Sequence, residues 1–270
     1  MKIGVCIKIV PDPAYYGSIT LDPVKKTLVR DGIPSVIDPT DTRAIELALQ
    51  WKDRFGAEVI LFSMAPDSAQ PLLREGLAIG ADRAYLLSDR RVAGADTLST
   101  SYILSRLIQS TEPCDLILCG NESSDGATSH VPAQLGEWMN MPHASSVVEL
   151  LPDGDGSVQV KKKLEDCCEL CRLTLPSVVA IKSVDLTLRY ATMPGIKAAM
   201  EKEICILRVN DLADADNAYL GLAGSPTQPG ELRTVDDGRA GEVFCGSAEE
   251  AAAAILEKIA PYIGMERVGR

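Results

Sequence analysis

The residues best placed to do chemistry are Gly120, Asn121, Glu122, Ser123, Ser124, Asp125, Gly126, Ala127, Thr128, Ser129, His130 and Val131. An apolar run, Leu116 to Gly120, leads into them, and a helical pattern from about Thr128 to Asn140 follows. They therefore leave the carboxyl end of a strand and enter a helix, which is where open α/β sheets bind ligands. Backbone N–H groups at a helix start, with small residues that let the backbone come close, suit a phosphate or pyrophosphate. The same Ser, Asp and Gly would serve equally in a loop that only caps the helix. His130 could donate to a phosphate, or stand on the helix surface.

Other reactive side chains assemble into nothing recognisable. Cys167, Cys168 and Cys171 lie in a strand-like run, and neither His130 nor His143 sits at ligand spacing from them. A closed zinc site wants four ligands, so these cysteines read as small side chains in a sheet. No Ser or Cys nucleophile motif accompanies either histidine. No GxGxxG follows the first strand, and GxxxxGK[ST] is absent throughout. The Ser-Gly-Gly loop of pyrophosphatases that adenylate their substrates is missing too. Kinase, ATPase, ordinary dehydrogenase and hydrolase are all disfavoured.

The elements that must carry the loop follow from composition and period. With 46% hydrophobic and 24% charged residues in 270, the chain can bury a full core without staples. Its net charge of −11 and the lack of any basic cluster longer than Lys161-Lys162-Lys163 exclude a nucleic-acid footprint. Neither a signal peptide nor a membrane span is read, since Met1 to Val10 is too short to cross a bilayer. Eight cysteines in such a chain are expected as reduced thiols, which points to the cytoplasm.

Lys2–Val10 is expected as a buried strand, and residues 11 to 37 as an excursion from the sheet. A helix capped by Thr40 or Asp41 ends at Gly56, and Glu58–Met64 is the next strand. The cycle repeats with helix 68–79, strand 84–87, helix 96–110, strand 116–120 and helix 128–140. Beyond Pro142 four strand-like runs (145–151, 158–164, 169–175, 178–181) follow, the first two joined by the turn Asp153-Gly154-Asp155-Gly156. Residues 185 to 246 show little periodicity and read as an arm. A last helix, Ala248 to Ile259, starts from the cap Ser247. The fold class is α/β: a doubly wound, mostly parallel sheet with an added hairpin region and an extended C-terminal arm.

Several motifs in order carry a resemblance. They are Lys2-Ile3-Gly4-Val5-Cys6-Ile7-Lys8 with Val10-Pro11-Asp12, Asp38-Pro39-Thr40-Asp41 before Ala44 to Leu49, Gly80-Ala81-Asp82-Arg83-Ala84, Asp125-Gly126-Ala127-Thr128, and Arg189-Tyr190-Ala191-Thr192-Met193-Pro194. Over nearly its whole length the sequence resembles the beta subunits of electron-transfer flavoproteins. The resemblance implies a nucleotide pocket made by Cys6, by Asp38, Pro39, Thr40 and Asp41, by Met64, and by Leu118 to Val131. Simple members hold AMP there, with the working FAD mainly on an alpha subunit. The electron-bifurcating kind puts FAD in this pocket beside an NADH site.

The chain is similar to that second kind in Leu73-Arg74-Glu75, in Ser88-Asp89 with Ala93-Gly94-Ala95-Asp96-Thr97, and in Gly246 to Ala252. The resemblance therefore implies FAD, with AMP as the alternative. Ile9, Asp38, Ala127 and His130 depart from the usual Gln, Asn, Asp and Gln. The segment 181–202 resembles the loop by which the family docks a dehydrogenase, with Arg189, Tyr190 and Pro194 around Met193 at an anchor usually held by Leu. Ser225 and Thr227, in a family tripeptide, are implied near phosphate. The implied partners are an alpha subunit and an acyl-CoA-type or other dehydrogenase or quinone oxidoreductase, and NADH oxidation would need the complex. The implied division is residues 1–184 as nucleotide-binding domain and 185–270 as recognition loop, arm and terminal helix against the alpha subunit. No residue is implied as catalytic.

Overall fold

The computed structural model describes residues 1–18, 20–21, 28–29, 32–154, 156–182, 186–228, 230 and 241–262. The chain divides into two units, residues 1–232 and 233–270. Within the first, β1 (Lys2–Cys6), β2 (Glu58–Met64), β3 (Arg83–Leu87), β4 (Leu116–Gly120), β5 (His143–Pro152), β6 (Ser157–Lys163), β7 (Cys168–Thr174), β8 (Ser177–Ile181) and β9 (Ile204–Leu207) form one sheet. Its spatial order is β7-β6-β5-β8-β4-β1-β2-β3-β9. The pairs from β5 through β9 are parallel, and β6 joins β5 and β7 antiparallel.

The helices are α1 (Pro39–Phe55), α2 (Gln70–Ala78), α3 (Thr97–Thr111), α4 (Val131–Trp138) and α5 (Met193–Glu201). Alternate residues of each central strand face opposite layers, and both layers are apolar. Ile3, Val5, Val59, Leu61, Leu116 and Leu118 pack with residues of α1 and α2. Cys6, Ile60, Phe62, Ile117 and Cys119 pack with Tyr102, Ile103 and Leu107 of α3 and Leu135 of α4. A strand covered on both faces shows a continuous apolar run, which is why β2 and β4 carry the clearest sequence signal. Each fully buried Leu or Ile contributes roughly 1.5–3 kcal/mol.

Local sequence sets the helix ends. Asp38 caps α1, Pro39 occupies its first turn, and Gly56 at φ 69° closes it by donating its N–H to the Lys52 carbonyl. Asp96 caps α3. In the second unit α6 (Ala248–Ile259) starts from a capping box of Ser247 and Glu250.

The structure corrects several expected boundaries. The first run breaks after Cys6, and Ile9–Pro11 leaves the sheet to pair antiparallel with Ser35–Ile37. The helix after the 120–131 loop begins at Val131 rather than Thr128. The cap of α1 is Asp38, ahead of the expected Thr40 or Asp41. Residues beyond 185, expected as an irregular arm, contain α5 and β9, and β9 completes the sheet beside β3. Asp155 of the expected turn and residues 231–240 of the expected arm lie outside the described residues. Among the described residues no helix is long and apolar enough to cross a membrane.

Candidate functional site

From β1 the chain goes through α1 to β2 on one side, while β4 lies on the other side. This is the point where strand order reverses, and the carboxyl ends of the two halves part there. A cavity of about 990 Å³ occupies the crevice. Of the residues expected at the site it is lined by Cys6, Asp41, Met64, Gly120, Asn121, Glu122, Ser123, Asp125, Gly126, Thr128, Ser129, His130, Val131 and Thr227. The cavity continues along the ends of β2 and β3, where Ala65 to Asp67 and Ser88 to Thr97 supply most of the far wall.

Asp41 fastens the crevice. Its Oδ2 accepts from the Lys8 N–H at 2.7 Å and its Oδ1 from the Gly120 N–H at 2.8 Å, so one carboxylate joins the segment after β1 to the end of β4. Burial pushes the Asp41 carboxyl up to about 7, against the pull of those two N–H groups. Gly120 is required beside it. A Cβ there would meet Thr40 Oγ1 at 2.3 Å and Asp41 Oδ1 at 2.5 Å.

Asp38, Pro39, Thr40, Ser124, Ala127 and Ser225 do not line the cavity; most of them build its wall. Asp38 is fully buried. Its Oδ1 accepts from Thr40 N (2.9 Å) and Oγ1 (2.7 Å), and its Oδ2 from Ser124 N (2.7 Å) and Oγ (2.8 Å). The start of α1 is thereby tied to the 121–130 loop, and Thr40 adds a bond to the Glu122 carbonyl at 2.8 Å. A carboxylate at 38 uses both oxygens internally, so the departure from Asn leaves the lining unchanged. Ala127 and Ser129 hold φ of 45° and 57°, left-handed values uncommon outside glycine that turn the loop back toward α4. Ser129 Oγ donates to Glu122 at 2.9 Å, and Asn121 accepts from the Ser146 N–H at 2.7 Å.

Two polar features face the crevice. Lys8 pairs with Asp125 and donates to Ser123 Oγ at 3.1 Å. Burial raises the Asp125 carboxyl, but the Lys8 ammonium outweighs it and holds the group below the ordinary range. On the far side Asp96 accepts from the Ser99 N–H (3.0 Å) and the Thr227 N–H (2.9 Å), while its own N–H donates to Ser225 Oγ at 2.8 Å. Ser225 and Thr227 thus reach the site by closing the start of α3. Arg208 donates to the Ser88 carbonyl and pairs with Asp67 at 3.1 Å, bracing the end of β3.

Lys8, most of Ser88 to Thr97 and Arg208 line the cavity but were not among the expected site residues. The first two had an available signal: each follows an apolar strand at its carboxyl end, as the 120–131 loop does. Arg208 follows β9, an apolar run of only four residues that was not read as a strand. The residues expected to dock a partner separate. Tyr190 and Met193 are 92% and 78% exposed and Pro194 is exposed beside them. Arg189 instead turns inward, with Nε and Nη2 on Glu46 at 3.0 Å and Nη2 on Asp53 at 2.9 Å. Among the described residues no group of three or more His, Cys, Asp or Glu could hold a metal ion.

Residues 25–212 match the family model described as the electron transfer flavoprotein domain. The chain is 40% identical to the electron transfer flavoprotein subunit beta of Thermoanaerobacterium thermosaccharolyticum, covering 96% of this chain and 98% of that one. It is 39% identical to the subunit of the same name from Clostridium acetobutylicum, with 96% and 98% covered. It is also 36% identical to the Caffeyl-CoA reductase-Etf complex subunit CarD of Acetobacterium woodii, again with 96% and 98% covered. A parallel sheet with its crevice at the switch point, a family match over most of the chain and relatives aligned end to end have one outcome: the chain belongs to the electron transfer flavoprotein family, as a beta subunit.

Proposed function

We propose that this beta subunit holds FAD in the switch-point cavity and, joined to an electron-transfer flavoprotein alpha subunit, passes electrons from NADH to a dehydrogenase or quinone-linked partner by flavin-based bifurcation. The observation that carries the reading is the extent of the cavity. At about 990 Å³ it stands at the top of the usual range of roughly 300–1,000 Å³ for small-molecule sites, and it runs from the 120–131 loop to the loop after β3. A mononucleotide needs only part of that length. The name of the Acetobacterium relative, a subunit of a reductase–Etf complex, supports the same assignment.

When bound, the flavin supplies hydride acceptance and one-electron chemistry. The chain supplies fit and electrostatics. The N-termini of α3 and α4 both open on the cavity, through Asp96, Thr97, His130 and Val131, and their N–H groups favour anionic oxygens. Lys8 and Arg90 add positive charge at the lining. Met64, Val92, Leu104 and Val131 give an apolar bed for a ring. None of these residues must take or give a proton for the reading to hold.

The test is to purify the chain with its alpha subunit, denature the complex, and count the nucleotides released. Two FAD per heterodimer with no AMP supports the proposal. One FAD with one AMP rejects it and makes this subunit a scaffold.

Thr128 is exposed and lines the cavity within the loop. Thr128→Ala is expected to weaken nucleotide retention about tenfold, the worth of one hydrogen bond to a charged group at roughly 1.5 kcal/mol. Retention after gel filtration reads this, and an unchanged ratio of nucleotide to protein would remove Thr128 from the site. Met193→Asp replaces an exposed apolar anchor with a charge. Coupled turnover with the native partner is expected to fall at least tenfold while bound cofactor stays constant; unaltered turnover rejects the docking role.

A further inference from the structure

Two thiols that electron transfer does not use lie on the floor of the cavity. Cys6 ends β1 and Cys119 is the penultimate residue of β4, and the two are register partners in a parallel pair. Register partners point to the same face of a sheet. Both belong to the apolar layer under α3 and α4, both are buried among its side chains, and both contribute to the cavity lining. The Cys6 thiol is held well above its ordinary range, first by the neighbouring Cys119 thiol and then by burial. Register and shared face place the two side chains next to each other on adjacent strands.

A disulfide is not the natural product of this pair. Adjacent strands lie about 4.8 Å apart, and register partners in a parallel ladder keep their Cβ atoms near that spacing. Disulfides want Cβ atoms about 3.8 Å apart. One atom placed between the sulfurs lengthens the bridge and removes the mismatch. The cavity gives such an atom a way in, and its apolar bed leaves room for an attached group.

We propose that Cys6 and Cys119 form a dithiol site for thiophilic ligands of the trivalent arsenical class, entered from the cavity and closed when a nucleotide fills it. The reaction is a condensation. An arsenoxide, R–As=O, meets two thiols, two As–S bonds form, and the oxygen leaves as water carrying both thiol protons. Arsenic stays trivalent, so no oxidant or reductant takes part. The site itself rests on the two cysteines and the cavity; only its closure by nucleotide rests on the function proposed above.

The probe is phenylarsine oxide on the full chain purified with its alpha subunit. Cys167 and Cys168 are exposed neighbours and could compete, so both are first replaced by Ser. In that background one phenylarsenic group per beta chain is expected to survive excess 2-mercaptoethanol and to leave with a dithiol. Cys119→Ala or Cys6→Ala is expected to reduce the labelling at least tenfold. Peptide mapping is expected to find residues 6 and 119 in one arsenic-linked species, which decides the matter even if either variant fails to fold. No monothiol-resistant label, or a label mapped to other cysteines, overturns the site. Prior loading with FAD or AMP is expected to cut the rate at least tenfold. Labelling of Cys6 and Cys119 that neither nucleotide slows would leave the dithiol standing and count against the nucleotide reading alone.

Discussion

Gly120→Ala is expected to cost about 3 kcal/mol of stability and to empty the cavity of the nucleotide proposed to fill it. The added methyl would stand 2.3 Å from Thr40 Oγ1 and 2.5 Å from Asp41 Oδ1. Neither side chain can simply swing away. Thr40 is bonded to Asp38 and Glu122, and Asp41 holds the N–H groups of Lys8 and Gly120. Relief must break at least one of these bonds, at about 1 kcal/mol for a part-buried one and up to about 3 kcal/mol for the buried Gly120–Asp41 bond, on top of the usual overpacking strain of about 1–3 kcal/mol. A urea titration of wild type and variant measures the first effect, and nucleotide content after gel filtration measures the second. A midpoint shift worth under about 1 kcal/mol would show that the strand ends are not held as tightly as these contacts imply.

The second large effect is on pH dependence. In the unfolded chain Asp41 ionises near its ordinary 3.8, whereas in the fold it keeps its proton up to about 7. Between those values the folded state binds more protons. The contribution of Asp41 is therefore present in full below about pH 4, is lost as pH rises toward about 7, and is level above that. At most about 4 kcal/mol is involved, since each tenfold gain in proton affinity is worth about 1.4 kcal/mol. Asp41→Asn cannot titrate, so the difference in unfolding free energy between wild type and variant is expected to fall between pH 4 and 7 and then flatten. A difference that is constant across this window would mean that Asp41 is ionised throughout.

The parts of the fold that were legible in the sequence are those where period and burial agree. Glu58–Met64 and Leu116–Gly120 appear with their expected ends because both faces of these strands are covered. Ile204–Leu207 was not read as a strand: its apolar run is only four residues long, and it lies in a stretch rich in Gly, Pro and Asp that shows little periodicity elsewhere. Met193–Glu201 hid its helix behind Pro194 and Gly195, though the glycine is needed where a Cβ would strike the Ala78 carbonyl oxygen at 2.4 Å.

Of the cavity lining, sequence reasoning anticipated the 120–131 loop because strand, small residues and helix follow one another directly. It assigned the far wall, Ser88 to Thr97, no role there. Periodicity announces that a strand exists, but only the sheet order β1-β2-β3 brings its end alongside the others. Asp38 was placed in the pocket, but its charge is spent on Thr40 and Ser124. A residue's place along the chain does not say which way its side chain turns.

The bonds from Ser225 and Thr227 to Asp96 bear on the order in which a newly made chain becomes competent. Asp96 is synthesised first, and its partners follow only 129 and 131 residues later. Domains tend to form from the amino end as translation proceeds. The central strands can thus assemble while the crevice between them still lacks part of its far wall. Completion of the crevice is therefore a later step than assembly of the sheet that frames it.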